Sequence, residues 1–358
     1  MKSLPSPRLS ARACLAVLLT ALGAIGCASR QPSAGDGGSA DKDLAGTEVG
    51  VYSGRHYNTD KELYREFTRR TGIKVNLLEA KDDALIERLR SEGEKSPADL
   101  LVLVDAARLD KATRMDLFQP TRSAELSRDV PANLRDSQGR WFGLTRRVRA
   151  AIVNPTQVDP ATIRTYADLA NPALQGKLCL RNSKSVYNQS LVADQLIQRG
   201  NDATRAWVKG MVANTSQPFF TSDTPLARAV AKGDCGVGVV NTYYVARMLS
   251  GDNGAEDKTL AGKLKVVFPD PAHVNISGAG VTRHASNPEG ARRLLEFLAS
   301  PTGGKGYAEA NNEYPLTGYG DNALLKGFGT FRADDVSAEQ MGAKNKEAVE
   351  LMQANGWQ

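Results

Sequence analysis

The sequence is short of the residue types that usually carry chemistry. Aromatics make up 6% of its 358 residues, and it holds four cysteines and three histidines. No Lys/Arg block is interleaved with aromatics, so the footprint of a nucleic-acid binder is missing. Past the N-terminal region no apolar run is long enough to span a membrane, and no internal repeat is evident. There is no Gly-x-Ser-x-Gly elbow, Gly-rich phosphate loop, His-Glu-x-x-His pair or paired-carboxylate signature. These absences argue against catalysis as the role of the chain. Asp99, Asp105 and Asp234 fall at predicted strand edges, where an aspartate ordinarily serves a turn or caps a helix.

What is present begins with a targeting segment. Lys2, Arg8 and Arg12 precede an apolar stretch over residues 13–26, with no acidic residue among them, and Cys27 follows. Without those three positive charges the formal net charge of +6 falls to +3, so the mature protein is only mildly basic. Ala24-Ile-Gly-Cys27 resembles a bacterial lipobox. Residues 1–26 are therefore expected to be a signal peptide and Cys27 the lipid-bearing new N-terminus. Residues 27–46, rich in Gly, Ser, Ala and Asp, read as a flexible tether. The expected product is exported and held at a membrane by its lipid. In an oxidising compartment Cys179 and Cys235 should form a disulfide. Each stands eight residues ahead of a tyrosine, Tyr187 and Tyr243.

With 41% hydrophobic residues the chain can build a large core, most naturally in two domains. Strands are expected at 47–53, 73–78 and 97–104, separated by helices at 61–71 and 82–94. Strands and helices alternating at this spacing specify an α/β sheet. A long extended stretch through Arg146, Arg147 and Arg149 to residue 154 then reads as a crossing into a second lobe. That lobe would hold strands at 177–181 and 235–240 and helices at 188–199, 203–213 and 224–232. Residues 263–269 and 278–281 look like the return crossing, with a helix at 288–299 and the C-terminal helices covering the first lobe. The expected lobes are 47–149 with 277–358, and 150–276, with a cleft between them.

Three loops stand out: Arg55-His-Tyr57, Val186-Tyr-Asn188 and Tyr243-Tyr244. Each follows a predicted strand and precedes a predicted helix, the edge where open α/β sheets bind ligands. If the two sheet edges face each other, four phenols and one imidazole converge. Phenolate is a hard anionic oxygen ligand, and imidazole is a nitrogen ligand suited to iron, copper and zinc. Free tyrosine ionises near pH 10, so a highly charged Lewis acid is needed to hold the phenolate at neutral pH. That favours Fe(III), with Fe(II) the lesser expectation. Zinc would prefer Cys and His, and calcium or magnesium would prefer carboxylates. Arg55 and Arg247 could balance phenolate charge or hold an accessory anion. A small organic or oxyanion solute held by the cleft arginines is the competing reading. His273 and His284 lack such context and are expected to be surface or hinge residues.

Three segments together resemble the periplasmic ferric-iron-binding proteins of ABC importers, in particular the cyanobacterial type. They are Tyr52-Ser-Gly-Arg-His-Tyr-Asn-Thr-Asp60, Cys179-Leu-Arg-Asn-Ser-Lys-Ser-Val-Tyr-Asn-Gln-Ser190 and Val240-Asn-Thr-Tyr-Tyr-Val-Ala-Arg247. The resemblance covers residues 48–316. It implies an α/β two-lobe type II periplasmic-binding-protein fold with two crossing strands, closing like a clamp. It also implies iron ligands at His56, Tyr57, Tyr187, Tyr243 and Tyr244. Arg147 and Arg149 match a region that contacts an anion in other branches of the family. The implied partners are ferric iron and a membrane permease with its ATPase, served by a monomer.

Overall fold

The computed structural model describes residues 44–55 and 58–358. The expected signal peptide, Cys27 and most of the tether lie outside them, as do His56 and Tyr57.

Three parallel strands open the fold: β1 (Glu48–Ser53), β2 (Lys74–Glu79) and β3 (Leu100–Val104), with β1 in the middle. Helix α1 (Asn58–Thr71) joins β1 to β2, and α2 (Asp82–Glu92) lies between β2 and β3. All five residues of β3 are buried, as its unbroken Leu/Val run requires of a central strand. Asp105 ends it at φ 96° and caps α3 (Ala106–Arg114) by accepting from the Ala107 amide at 3.0 Å. The aspartate thus caps a helix, as its strand-edge position predicts.

β4 (Phe142–Val153) is the strand around which the two parts of the sheet are arranged. From Phe142 to Val148 it pairs antiparallel with β8 (Val274–Val281), which in turn pairs with β3. From Arg149 to Val153 it pairs instead with β6 (Val237–Asn241), and β7 (Lys265–Val267) joins it over Ala151–Val153. A short parallel strand, β5 (Leu178–Cys179), lies beyond β6. The strand order is β2-β1-β3-β8-β4-β6-β5. β4 therefore changes partners between Val148 and Arg149. The return from β7 to β8 passes the same place, because the Arg149 amide donates to the His273 carbonyl at 3.1 Å.

Helix α4 (Val186–Ala213) follows β5, α5 (Asp223–Lys232) precedes β6, and α6 (Thr242–Ser250) follows it. The two helices expected at 188–199 and 203–213 are one element kinked at Gly200, whose φ of 76° suits a residue without a Cβ. α5 rests directly on β6 because Gly238 carries no Cβ, which would lie 2.4 Å from Leu226. The disulfide between Cys179 and Cys235 is present and joins β5 to the entry of β6.

Helices α7 (Pro288–Ala299) and α8 (Pro301–Glu309) return to the first part of the sheet. The expectation that all the C-terminal helices cover the first lobe needs correction. α9 (Ala338–Ala343) packs on α3, but α10 (Asn345–Ala354) packs along α4. The Trp357 indole donates to the Arg181 carbonyl at 2.7 Å, and the Gln358 carbonyl accepts from Ser183 at 3.1 Å. Leu351, Met352 and Trp357 are buried there, and that apolar surface directs the end of the chain to α4.

Candidate functional site

β6 is wholly buried and delivers its last residue, Asn241, as the N-cap of α6. Tyr243 and Tyr244 therefore sit in the first turn of that helix, at the strand-to-helix edge. Their rings stack with centroids 4.3 Å apart and planes 30° apart. Tyr187 occupies the first turn of α4, and its hydroxyl accepts from the Tyr243 hydroxyl at 3.3 Å. Tyr243 is buried, whereas Tyr187 and Tyr244 are half-buried. Three phenols separated by up to 57 positions in sequence thus converge on one spot. The disulfide stands behind them, fixing β5 against β6.

Four guanidiniums surround these rings. The Tyr187 centroid lies 5.3 Å from the guanidinium carbon of Arg147, 5.8 Å from that of Arg149 and 5.3 Å from that of Arg181. Arg247 stands 5.3 Å from the Tyr243 centroid. A cation over an aromatic face is attracted by the ring and, far more, by a phenolate. Burial pushes the Tyr244 phenol well above its ordinary pKa, and the nearby Tyr187 and Asp223 push it further. A cation is therefore needed to hold that oxygen ionised.

The arginines differ in what else they touch. Arg149 donates to Asp223 at 2.7 Å and to the Asn188 side-chain oxygen at 2.7 Å. Arg181 reaches the other Asp223 oxygen at 3.3 Å. Asp223, itself buried, also accepts from the Asn241 amide at 3.0 Å. It fastens the turn that carries Tyr243 to β4. Arg147 is buried and donates one nitrogen to the Ile276 carbonyl, but its Nε and Nη1 have no partner among the described residues. Burial works against its charge, yet Tyr187, Glu313, Tyr243 and Asp105 together hold it ionised beyond the usual arginine range.

Arg55, expected to balance phenolate charge or hold an accessory anion, sits in a separate set of ion pairs. It is buried and pairs with Asp60 at 2.9 Å and Glu313 at 2.6 Å. It also donates to Ser277 at 3.0 Å and to the Tyr307 carbonyl at 3.2 Å, with its guanidinium carbon 4.0 Å from the Tyr307 ring. Asp60, in the first turn of α1, serves this pair. Arg55 ties the end of the segment that follows β1 to β8 and α8.

A second cluster escaped the sequence reading. His273 is buried where β4 changes partners, beside the buried Asp194 of α4 and Asp334. Nothing in the local sequence marks it, because the three residues come from distant segments.

The residues matched and the architecture agree: the chain belongs to the bacterial extracellular solute-binding proteins, whose family model matches residues 95–327. Among its relatives is Iron uptake protein A1 of Synechocystis, 42% identical over 331 residues, which are 90% of this chain and 92% of that protein. The structure of a Trichodesmium protein, FutA or IdiA, in complex with iron and citrate ligands superposes with a TM-score of 0.84 at 42% identity, covering 87% of this chain and all of that one. Apo FutA2 from Synechocystis gives a TM-score of 0.82 at 38% identity, over 87% and 99% of the two chains. The two-lobe type II fold expected from the sequence is the fold of the protein.

Proposed function

We propose that this protein captures Fe(III) on tyrosine phenolates and hands it to an ABC permease and its ATPase. The carrying observation is the convergence of Tyr187, Tyr243 and Tyr244 at adjoining helix starts, ringed by arginines. Three phenolates supply three negative charges, which matches a trivalent ion, and hard oxygen donors suit ferric iron. His56 and Tyr57 would complete a five-ligand cage from the other lobe. The relatives named for iron uptake and for bound iron support this reading. Export, with Cys27 as a lipid anchor, belongs to the same proposal. So does a binding role with no turnover of its cargo.

The alternative is a small anionic solute on the same fold. The unpartnered nitrogens of Arg147 favour an anion in the site, and beside the metal it would act as an accessory ligand. Ferric loading separates the readings. Iron on phenolate gives a red to orange charge-transfer band, expected in the loaded wild type and lost in Tyr187→Phe and Tyr243→Phe. A protein that stays colourless after aerobic ferric loading rules the iron reading out.

A further inference from the structure

The buried cluster at the crossing point is built from three separate segments. Asp194 comes from α4, His273 from the residues just ahead of β8, and Asp334 from the segment that leads to α9. One ligand atom from each lies within 4.8 Å of the other two. The imidazole Nδ1 is 3.7 Å from an Asp194 oxygen and 3.9 Å from an Asp334 oxygen. Both distances exceed the roughly 2.7–3.2 Å of an N–H···O hydrogen bond, and Nδ1 has no hydrogen-bond partner among the described residues. Yet it is buried and aimed between two carboxylates. Donor atoms bound to one first-row ion at about 2.0–2.2 Å stand about 3.3–4.0 Å apart for bond angles between tetrahedral and 130°.

We propose that Asp194, His273 and Asp334 bind a divalent first-row transition ion, with zinc the simplest probe, at the point where β4 changes partners.

The surroundings fit that role. Gln198 donates to one Asp194 oxygen at 2.8 Å and Gln195 to the other at 3.0 Å. The Val336 and Val274 amides each donate to Asp334 at 3.0 Å. Each oxygen keeps a second lone pair, and its orientation is fixed by a neighbour, as outer groups fix ligands at metal sites. His273 is held by its main chain, its amide donating to the Tyr166 hydroxyl at 2.9 Å and its carbonyl accepting from Arg149 at 3.1 Å. Burial, with Arg149 and then Arg147 nearby, keeps the imidazole neutral, the form that binds metals. Burial pushes the Asp194 carboxyl up to about 6, and burial with Asp194 beside it pushes Asp334 up to about 8, so near neutral pH the pair holds a proton that a bound divalent ion would displace. The ion would tie α4, whose first turn carries Tyr187, to the crossing strand and the C-terminal segment.

The test uses the mature chain carrying Tyr187→Phe and Tyr243→Phe, so that zinc retention does not depend on the iron cage. Because the cluster is buried, the protein is refolded from denaturant with Zn(II) or with a chelator, then freed of loose metal. The expected result is about one zinc retained per chain and a melting temperature above that of the chelator-refolded sample. His273→Gln and Asp334→Asn should each abolish both effects. X-ray absorption of the zinc-refolded parent protein should give one imidazole with oxygen donors, and that measurement needs neither cluster variant to fold. No zinc retained by a folded parent protein, retention undiminished in a folded His273→Gln, or a spectrum without imidazole overturns the proposal in favour of a shared proton.

Discussion

Arg55 and Arg147 are both buried, and the surroundings meet their charges in opposite ways. Arg55 faces two carboxylates and further acceptors from β8 and α8. Arg147 faces tyrosine rings and leaves two nitrogens without partners among the described residues. Taking a guanidinium out of water costs several kcal/mol, which only well-placed partners offset. The pair at Arg55 is therefore internal and structural. Under the proposed function, Arg147 would meet an anion that arrives later: a phenolate formed on metal binding, or a small ion beside it.

The sharpest way to break this contrast is to remove a carboxylate partner from Arg55. Glu313→Ala leaves the buried Arg55 with Asp60 as its one carboxylate and should cost about 3 kcal/mol of stability, the upper end for a buried donor that loses its acceptor. Urea unfolding measures it. A loss below about 1 kcal/mol would place Arg55 in water and remove the difference between the two sites.

The tyrosine region is held by a different device, a covalent one. Cys179 and Cys235 are 56 positions apart, and a loop of that size is stabilised by about 2–4 kcal/mol when closed by a disulfide. Replacing both cysteines by alanine should lower stability by that amount. It should also weaken iron binding, because β5 leads to Tyr187 and β6 to Tyr243. An unfolding curve and a chelator competition on the same variant test the two parts. Glu313→Ala acts chiefly on Arg55 and more weakly on Arg147, so its iron affinity should fall less than that of the cysteine variant.

How much of this contrast was legible in the sequence follows from the range of the interactions. The α/β order was readable because each strand and helix carries its own apolar period. The tyrosines at strand exits were readable because the residues around them are local, and the matched cysteine offset added a long-range hint. The ion pairs of Arg55 were not legible because one of its partners, Glu313, is 258 positions away. Arg147 and Arg149 could not be separated by pattern: they share a face of β4 at alternate positions, and only the placement of Asp223 and Asn188 distinguishes them. α10 was assigned to the wrong neighbour for the same reason, since amphipathic periodicity names a buried face and not what covers it. His273 with Asp194 and Asp334 depends wholly on the tertiary fold.

A smaller effect tests the Arg147 side directly. Arg147→Met removes the charge while filling a similar volume. With two guanidinium nitrogens already unpartnered, stability should change by less than about 1 kcal/mol or rise. Iron affinity should fall about tenfold, which is about 1.4 kcal/mol, because the phenolate at Tyr187 loses its nearest unpaired cation. Competition against a chelator gives the ratio. A large loss of stability with unchanged affinity would make Arg147 a structural residue like Arg55.

The smallest effect expected is at Arg247, and it sharpens the comparison by separating charge proximity from burial. Its guanidinium lies as near to the Tyr243 ring as that of Arg147 does to Tyr187, 5.3 Å in each case, but Arg247 is half-buried on α6. Water screens its charge, so a cation over a ring at such a site contributes about 0.5–1 kcal/mol. Arg247→Ala should therefore lower iron affinity two- to fivefold, measurably less than Arg147→Met. The charge-transfer band should survive, since no phenol is removed. If the two variants lose affinity equally, burial does not set the strength of the arginine–phenolate pairing. Ring distance, which is the same for both, would then set it.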